Sequence, residues 1–336
     1  MQTLLIDADK TGFPNLALMQ LSTHLKNHGH IVNFGSMAGK PDLIFISCVF
    51  TQNKENAYSV GAYYPDTKKI YGGTGVDKNN GVSYFSHEYP DYSLYPDCDY
   101  SLGFMTRGCF RKCPWCVVPK KEGMIRKHSP LEEFDNPEYK KTMLLDNNLL
   151  ACPDHISLLD ELINSKKKVC ITQANDIRLI TEENAVALQS MRSYDTNFKN
   201  KRYYFSWDSP AIEKQVIQGI ETLLDTGVKA NQLQFYVLIN YDTNYYEDKH
   251  RLETLLSYGC RPYVMLYNNR KGTYHHHMKR WVERRYCEIM SWDEYDWGDS
   301  QKWIQMMNGT EPNNGIKLDH FTNQLSIDKQ TKRNDP

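Results

Sequence analysis

Apolar residues fall into short blocks whose spacing changes along the chain. Leu4-Leu5-Ile6 closes on Asp7, the pattern of a buried strand. After Pro14, residues Leu16, Met19, Leu21 and Leu25 recur at helical spacing as far as Gly29, which predicts a helix with proline at its start and glycine past its end. Residues 31–34, 43–48 and 69–71 predict further strands, the last running into Gly72-Gly73-Thr74-Gly75. Residues 1–99 therefore read as a small α/β domain. Its last part, 79–99, is rich in Tyr, Pro, Asp and Ser and is expected to be a connecting loop.

From Tyr100 the rhythm becomes regular. Strands are predicted at 100–106, 142–146, 168–173, 203–208, 233–239 and 261–267. Helices are predicted between and after them at 130–139, 154–165, 181–192, 210–226, 246–258 and 275–290. Periodicity is clearest in Ile212, Val216, Ile217, Ile220, Leu223 and Leu224. Alternation at about 30 residues per unit implies βαβ crossovers and a parallel sheet. Six units, over 100–290, predict a partial (β/α)6 barrel, too few for the closed eight-stranded kind. A C-terminal extension, 291–336, turns polar after about residue 305 and is expected to fray at its end.

Composition narrows the class. At 336 residues the chain suits two domains, and 40% hydrophobic with 24% charged residues excludes wholesale disorder. A net charge of -1 argues against a surface built wholly to hold nucleic acid, while local patches leave such a partner open. The longest apolar runs fall far short of the roughly 20 residues of a membrane span. Met1-Gln2-Thr3 carries no basic leader, so a cytoplasmic protein without a membrane anchor is expected.

Cysteine usage agrees with a reducing compartment. Six of the nine cysteines (Cys48, Cys98, Cys152, Cys170, Cys260 and Cys287) are scattered, whereas Cys109, Cys113 and Cys116 fall together as C-x3-C-x2-C. That spacing would align three thiols on a helix. Gly108 and Pro114 argue instead for a loop, which can wrap three thiolates around one inorganic centre. Zinc is an alternative that wants a fourth ligand, for which His128 is the nearby candidate. Inert thiols are another, and three thiolates without a fourth also fit a cubane cluster with one open iron. The other predicted strand ends are polar as well: Asp146-Asn147-Asn148; Gln173, Asn175 and Asp176; Ser206 and Asp208; Asn240 and Asp242; Tyr267-Asn268. Turn-forming residues are ordinary there, but a crevice outside the carboxyl ends of parallel strands is also where ligands bind.

C-x3-C-x-aromatic-C, with Trp115 as the aromatic, at the end of a first barrel strand resembles the signature of the radical S-adenosylmethionine (radical SAM) superfamily over about residues 100–290. Asp7-Ala8-Asp9, Phe13 to Met19, Gly72 to Gly75, Leu144 to Ala151 and Phe205 to Asp208 resemble, more narrowly, uncharacterised radical SAM proteins of bacteria and their phages. The resemblance implies that Cys109, Cys113 and Cys116 ligate a [4Fe-4S] cluster. SAM would bind the fourth iron and be cleaved reductively to a 5′-deoxyadenosyl radical that abstracts hydrogen from a substrate. Asp146, Asn147 and Asn148 stand where the superfamily commonly has Gly-Gly-Glu, and would meet the methionine ammonium. Arg178 would meet the SAM carboxylate, Ser206 and Asp208 the ribose, and Val237-Leu238-Ile239 the adenine. An external electron donor such as flavodoxin or ferredoxin is implied.

The front domain is similar to the Rossmann-like, cobalamin-binding-type α/β domain of many radical SAM enzymes. Its corrinoid version carries D-x-H-x-x-G. Here Asp7-Ala8-Asp9-Lys10-Thr11-Gly12 has Asp9 in place of the cobalt-ligating histidine, so cobalamin is not expected. Methylthiotransferases of tRNA add three cysteines in the front domain, where this chain has only Cys48 and Cys98. Behind the barrel only Cys260 and Cys287 remain, so a single cluster is the simplest reading. Basic residues 107, 111, 112, 120, 121, 126 and 127 against Glu122, and 270, 271, 279, 280, 284 and 285 against Glu283, offer charge for an anionic substrate or make solvated faces. His275-His276-His277 reads as a loop or helix start, since consecutive residues do not converge on one ion. The competing classes are a radical SAM enzyme, including methylthiotransferase-like or cobalamin-dependent methyltransferase-like forms; a zinc-binding interaction module; and a metal-free structural α/β protein.

Overall fold

A computed structural model describes residues 1–77, 83–267 and 273–295. The expected fraying of the tail, and Asn268 with basic residues 270 and 271, lie outside the described residues. The chain packs as two compact units, Met1–Tyr203 and a second that begins at Tyr204.

The first unit opens with β1 (Gln2–Asp7), α1 (Leu16–Asn27), β2 (Ile31–Phe34), β3 (Leu43–Ser47), α2 (Lys54–Ala62) and β4 (Lys68–Gly72). The four strands form a parallel sheet in the order β2-β1-β3-β4. Alternation along β1 decides which helix each residue meets. Leu4 and Ile6 pack with Ile44, Ile46 and Ala57 of α2, while Leu5 packs with Leu18, Leu21 and Leu25 of α1. Asn15 caps α1 by accepting the Leu18 N–H at 3.3 Å, one residue after the proline, and Gly29 follows the helix at φ +78°. Helix α2 is not anticipated from the sequence. Only Ala57 and Gly61 of its nine residues are buried, too few to leave an apolar stripe.

The segment before residue 100 is more than a connector. Within it the Tyr92 hydroxyl donates to the Phe134 carbonyl at 2.6 Å and accepts the Leu102 N–H at 3.0 Å. Asp91 accepts from Ser22 and Lys26 of α1. The anticipated boundary near residue 99 thus lies inside the first unit.

Next come β5 (Ser101–Gly103), β6 (Thr106–Arg107), α3 (Val118–Glu122), β7 (Arg126–Lys127), β8 (Lys141–Leu144), α4 (His155–Asn164), β9 (Lys168–Ile171) and α5 (Glu182–Ser190). Strands β5, β8 and β9 make a parallel three-stranded sheet in that order, with Gly103 opposite Leu144 and Leu144 opposite Ile171. The helix expected at 130–139 is reduced to one 3-10 turn, Leu131–Glu133. Pro137 pushes Asn136 out of the helical region, and Asp135 is held by Ser101 and Lys167 instead.

The second unit contains β10 (Tyr203–Ser206, which starts at the boundary), α6 (Glu213–Asp225), β11 (Leu233–Ile239), α7 (Tyr245–Ser257), β12 (Arg261–Leu266) and α8 (Thr273–Glu283). Its sheet order is β10-β11-β12, with β11 and β12 parallel. Val216, Gly219, Ile220 and Leu223 form the buried stripe of α6, at the predicted spacing. The three histidines lie in the first turns of α8, and the last predicted helix is broken after Glu283 by Arg285 in the left-handed region. All six strands anticipated from residue 100 onward are present, as two three-stranded sheets. The fold is mixed α/β with parallel sheets.

Gly103 lets Phe134 pack over the end of β5. A Cβ there would stand 2.2 Å from the phenyl ring. Gly103→Ala should therefore lower unfolding stability by about 1–3 kcal/mol, and adding Phe134→Leu should recover part of the loss. Urea denaturation of the three proteins checks this. Equal midpoints for wild type and Gly103→Ala would refute the packing argument.

Candidate functional site

Beyond Gly103 the chain makes a short antiparallel stem. Thr106 pairs with Lys127 and Arg107 with Arg126, while the His128 N–H closes on the Met105 carbonyl at 2.8 Å. The stem encloses the segment that carries the three cysteines. Gly108 turns it at φ +85°, where a Cβ would lie 2.4 Å from the Met124 carbonyl oxygen. The next N–H, of Cys109, reaches the Gly123 carbonyl at 3.1 Å. Residues 108–117 contain no helix, as Gly108 and Pro114 predict. A turn closes from the Cys116 N–H to the Cys113 carbonyl at 3.0 Å, with Pro114 and Trp115 at its corner. Helix α3 begins after the last cysteine.

Side chains from the ends of β8 and β9 tie this loop down. Asp146, expected to open onto a ligand, is completely buried. Its carboxylate accepts the Met105 N–H at 3.1 Å, the Thr106 N–H, and the Thr106 hydroxyl at 2.6 Å. Burial raises its pKa to about 6, against the lowering effect of these donors. Asn147 donates to Glu122 at 2.9 Å. Glu122 also accepts from Arg107 at 3.3 Å and from the Gly108 N–H at 3.2 Å. Asn148 donates to Cys109 Sγ at 3.6 Å and accepts the Asp176 N–H at 3.1 Å. Asp176 holds Arg111 of the loop at 2.7 Å and grips Arg178 through its Nε at 2.7 Å and a terminal nitrogen at 3.0 Å. Arg178 is thus engaged along one edge of its guanidinium.

Of the residues expected at the site, Asn148 touches the cysteine loop directly, Asp146 and Asn147 bind the stem and Glu122 beside it, and Arg178 is linked to it through Asp176. Glu122 and Thr106 had no role assigned from the sequence, which marked Asp176 only as a polar strand end and Arg111 only as part of a basic stretch. Glu122 did carry a signal, as the one acid among seven basic residues between positions 104 and 127.

The cysteines differ in exposure. Cys48, Cys98, Cys152, Cys170 and Cys260 are buried and Cys287 is half-buried. Burial raises the pKa of each, to about 12 for Cys170 and Cys260. Such thiols behave as small apolar core residues. Cys109 and Cys113 are half-buried and Cys116 is exposed, so the clustered set contains the one exposed thiol among the described residues. Among the described residues no three His, Cys, Asp or Glu side chains are grouped to hold a single metal ion. His128, the candidate fourth zinc ligand, packs against His87 with ring centroids 4.4 Å apart and the rings tilted by 43°. It lines a small pocket with Gln20, Ser129 and Glu133.

In the front sheet, Asp9 follows β1 and accepts the Phe50 N–H at 3.2 Å, the Val49 N–H and Asn53 Nδ2 at 2.8 Å, all from the loop after β3. This is the point where the order β2-β1-β3-β4 reverses. Lys121, whose pKa burial lowers, donates to the hydroxyl of Thr74 in the glycine-rich turn after β4.

Ser206 and Asp208 belong to the second unit. Ser206 is half-buried at the end of β10, and Asp208 accepts the Leu238 N–H at 3.1 Å. Val237 and Ile239 lie wholly in the core, with Leu238 nearly so, which leaves little of the anticipated apolar shelf exposed. Arg251, which sequence reasoning did not single out, is fully buried. It donates to the carbonyls of Trp207 at 2.8 Å and Leu238 at 3.0 Å, and to Asp248 at 2.6 Å.

No protein-family model matches the chain. No curated protein matches it either. Among solved structures it is similar to a spore photoproduct lyase complexed with a dinucleoside spore photoproduct, at 14% identity and a TM-score of 0.33, over 91% of this chain and 94% of that one. A likeness of that size carries no argument about the fold or the activity. No helix among the described residues is long and apolar enough to cross a membrane.

Burial, with the nearby charge of Arg107, lowers the pKa of His128 from 6.5 to about 4. The unfolded chain therefore binds the extra proton between these values. The contribution of neutral His128 to stability is complete above pH 6.5 and is lost as pH falls toward 4. Urea midpoints at about pH 7.5 and pH 5 should show a smaller acid-induced drop for His128→Gln than for wild type. Equal drops would place the acid sensitivity elsewhere.

Proposed function

We propose that this protein is a radical SAM enzyme, with Cys109, Cys113 and Cys116 as the ligands of one [4Fe-4S] cluster. The observation that carries the reading is the cysteine loop: three clustered thiols, held out of helix by Gly108 and Pro114, at the end of the first strand of a parallel sheet. The donor set fits the group. Three thiols on one non-helical loop can each take an iron and leave a fourth iron for a small chelating ligand. Exposed Lys112 within the loop offsets part of the charge of the thiolates, while Arg111 is paired with Asp176. When bound, the cluster supplies the electron for reductive cleavage of SAM, which yields the 5′-deoxyadenosyl radical that takes hydrogen from the substrate.

The chain's own residues hold and shield. Asp146 fixes the start of the loop through Met105 and Thr106, so an ammonium of SAM would meet Asn147 and the polar end of β8 rather than a free Asp146 carboxylate. Arg178, already turned by Asp176, keeps its remaining N–H groups for a carboxylate. Trp115 is assigned to the wall beside the cluster. The substrate is proposed to be anionic, met by the exposed lysines 112 and 120, with flavodoxin or ferredoxin as electron donor.

Anaerobic reconstitution followed by iron and sulfide assay tests the reading. Wild type should bind about four irons, show visible absorbance that bleaches on reduction, and release 5′-deoxyadenosine from SAM. Cys113→Ala should lose the absorbance and all SAM cleavage. A Cys113→Ala protein that keeps its irons and still cleaves SAM would show the ligand assignment to be wrong.

A further inference from the structure

We propose that Asn148 is a positioning residue for Cys109: its side-chain amide donates to the cysteine sulfur, fixes the ligand, and sets the reduction potential of the cluster the loop would hold. This rests on the cluster reading above and adds a role for a residue that the sequence pointed toward SAM instead.

The orientation of the amide is determined by its two partners. Oδ1 accepts the Asp176 N–H at 3.1 Å, so the other end of the planar group, Nδ2, must be the end at Cys109 Sγ, 3.6 Å away. Asn148 is only 4% exposed, which removes water as a competing partner. The acceptor end is itself braced, because Asp176 grips Arg178 and reaches back to Arg111, two residues beyond Cys109. The loop, the end of β8 and the segment after β9 thus close a ring of contacts in which the Cys109 sulfur is one link. A donor aimed at a thiolate draws negative charge from it. Adding an electron to a cluster increases the charge on its sulfurs, so the hydrogen bond favours the reduced form and raises the potential. Asn147, one position earlier, points its amide at Glu122 and has no such contact with Cys109.

The test compares reconstituted wild type, Asn148→Leu and Asn148→Asp by iron content and by dye-mediated redox titration followed by EPR. Asn148→Leu keeps the volume and deletes the donor. At the wild-type midpoint its ratio of reduced to oxidised cluster should fall about threefold to tenfold. Asn148→Asp retains an acceptor for the Asp176 N–H but turns a carboxylate oxygen toward the sulfur, so its midpoint should be more negative still. Full iron content with both midpoints at the wild-type value would overturn this inference and leave the proposed function standing. A variant that is native by circular dichroism yet cannot retain its cluster would support the fixing of Cys109 and overturn the role of Asn148 in setting the potential. Wild type that takes up no cluster would overturn the proposed function and this inference together.

Discussion

A buried carboxylate organises this molecule. Asp146 has no solvent to satisfy its charge, and three donors from two consecutive residues, Met105 and Thr106, replace the water it gives up. A buried charge without such partners costs several kcal/mol, and each donor returns roughly 1.5–3 kcal/mol. The contact can form in few ways, because two backbone N–H groups and a hydroxyl must converge on one carboxylate. It pins the chain leaving β5 against the end of β8. From that point the stem of β6 and β7, the turn at Gly108 and the course of the cysteine loop follow.

The same logic extends along the sheet. Glu122 gathers Arg107, the Gly108 N–H and Asn147, and Asp176 gathers Arg111 and Arg178. The basic stretch around the cysteines is therefore partly spent inside the structure. Arg107, with only 11% of its side chain exposed, is paired with Glu122, whereas lysines 112 and 120 are exposed. A charge count along the sequence overstates what such a loop offers to solvent, because pairing removes charges in a way composition does not show.

In the front sheet a carboxylate again does the work of a ligand. The backbone N–H groups of Val49 and Phe50 and the amide of Asn53 converge on Asp9 at the reversal of strand order, where a bound anion or cofactor commonly sits. Tyr92, Ser22 and Asp91 then join the segment after that sheet both to α1 and to the start of β5, so the front sheet and the cysteine loop belong to one compact unit.

Sequence alone determined what depends on near neighbours. The apolar run Leu4 to Ile6, the helical stripe of Val216, Ile220 and Leu223, and the refusal of Gly108 and Pro114 to continue a helix are local steric and hydrophobic facts, and each element stands where they put it. Pro137 prevents the helix expected at 130–139, and α2 leaves little trace in the sequence because a helix burying two small residues has little periodicity. The partners of the polar strand ends could not be read in the same way. Asp146 and Thr106 are 40 residues apart and Asp176 and Arg111 are 65 apart, so their meeting depends on strand order and register. Sequence marked these positions as polar ends of strands. Only tertiary structure decided that Asp146 turns inward to its own chain and Asn148 to the sulfur of Cys109, because a buried polar atom takes whichever partner the packing of distant elements brings within hydrogen-bonding reach.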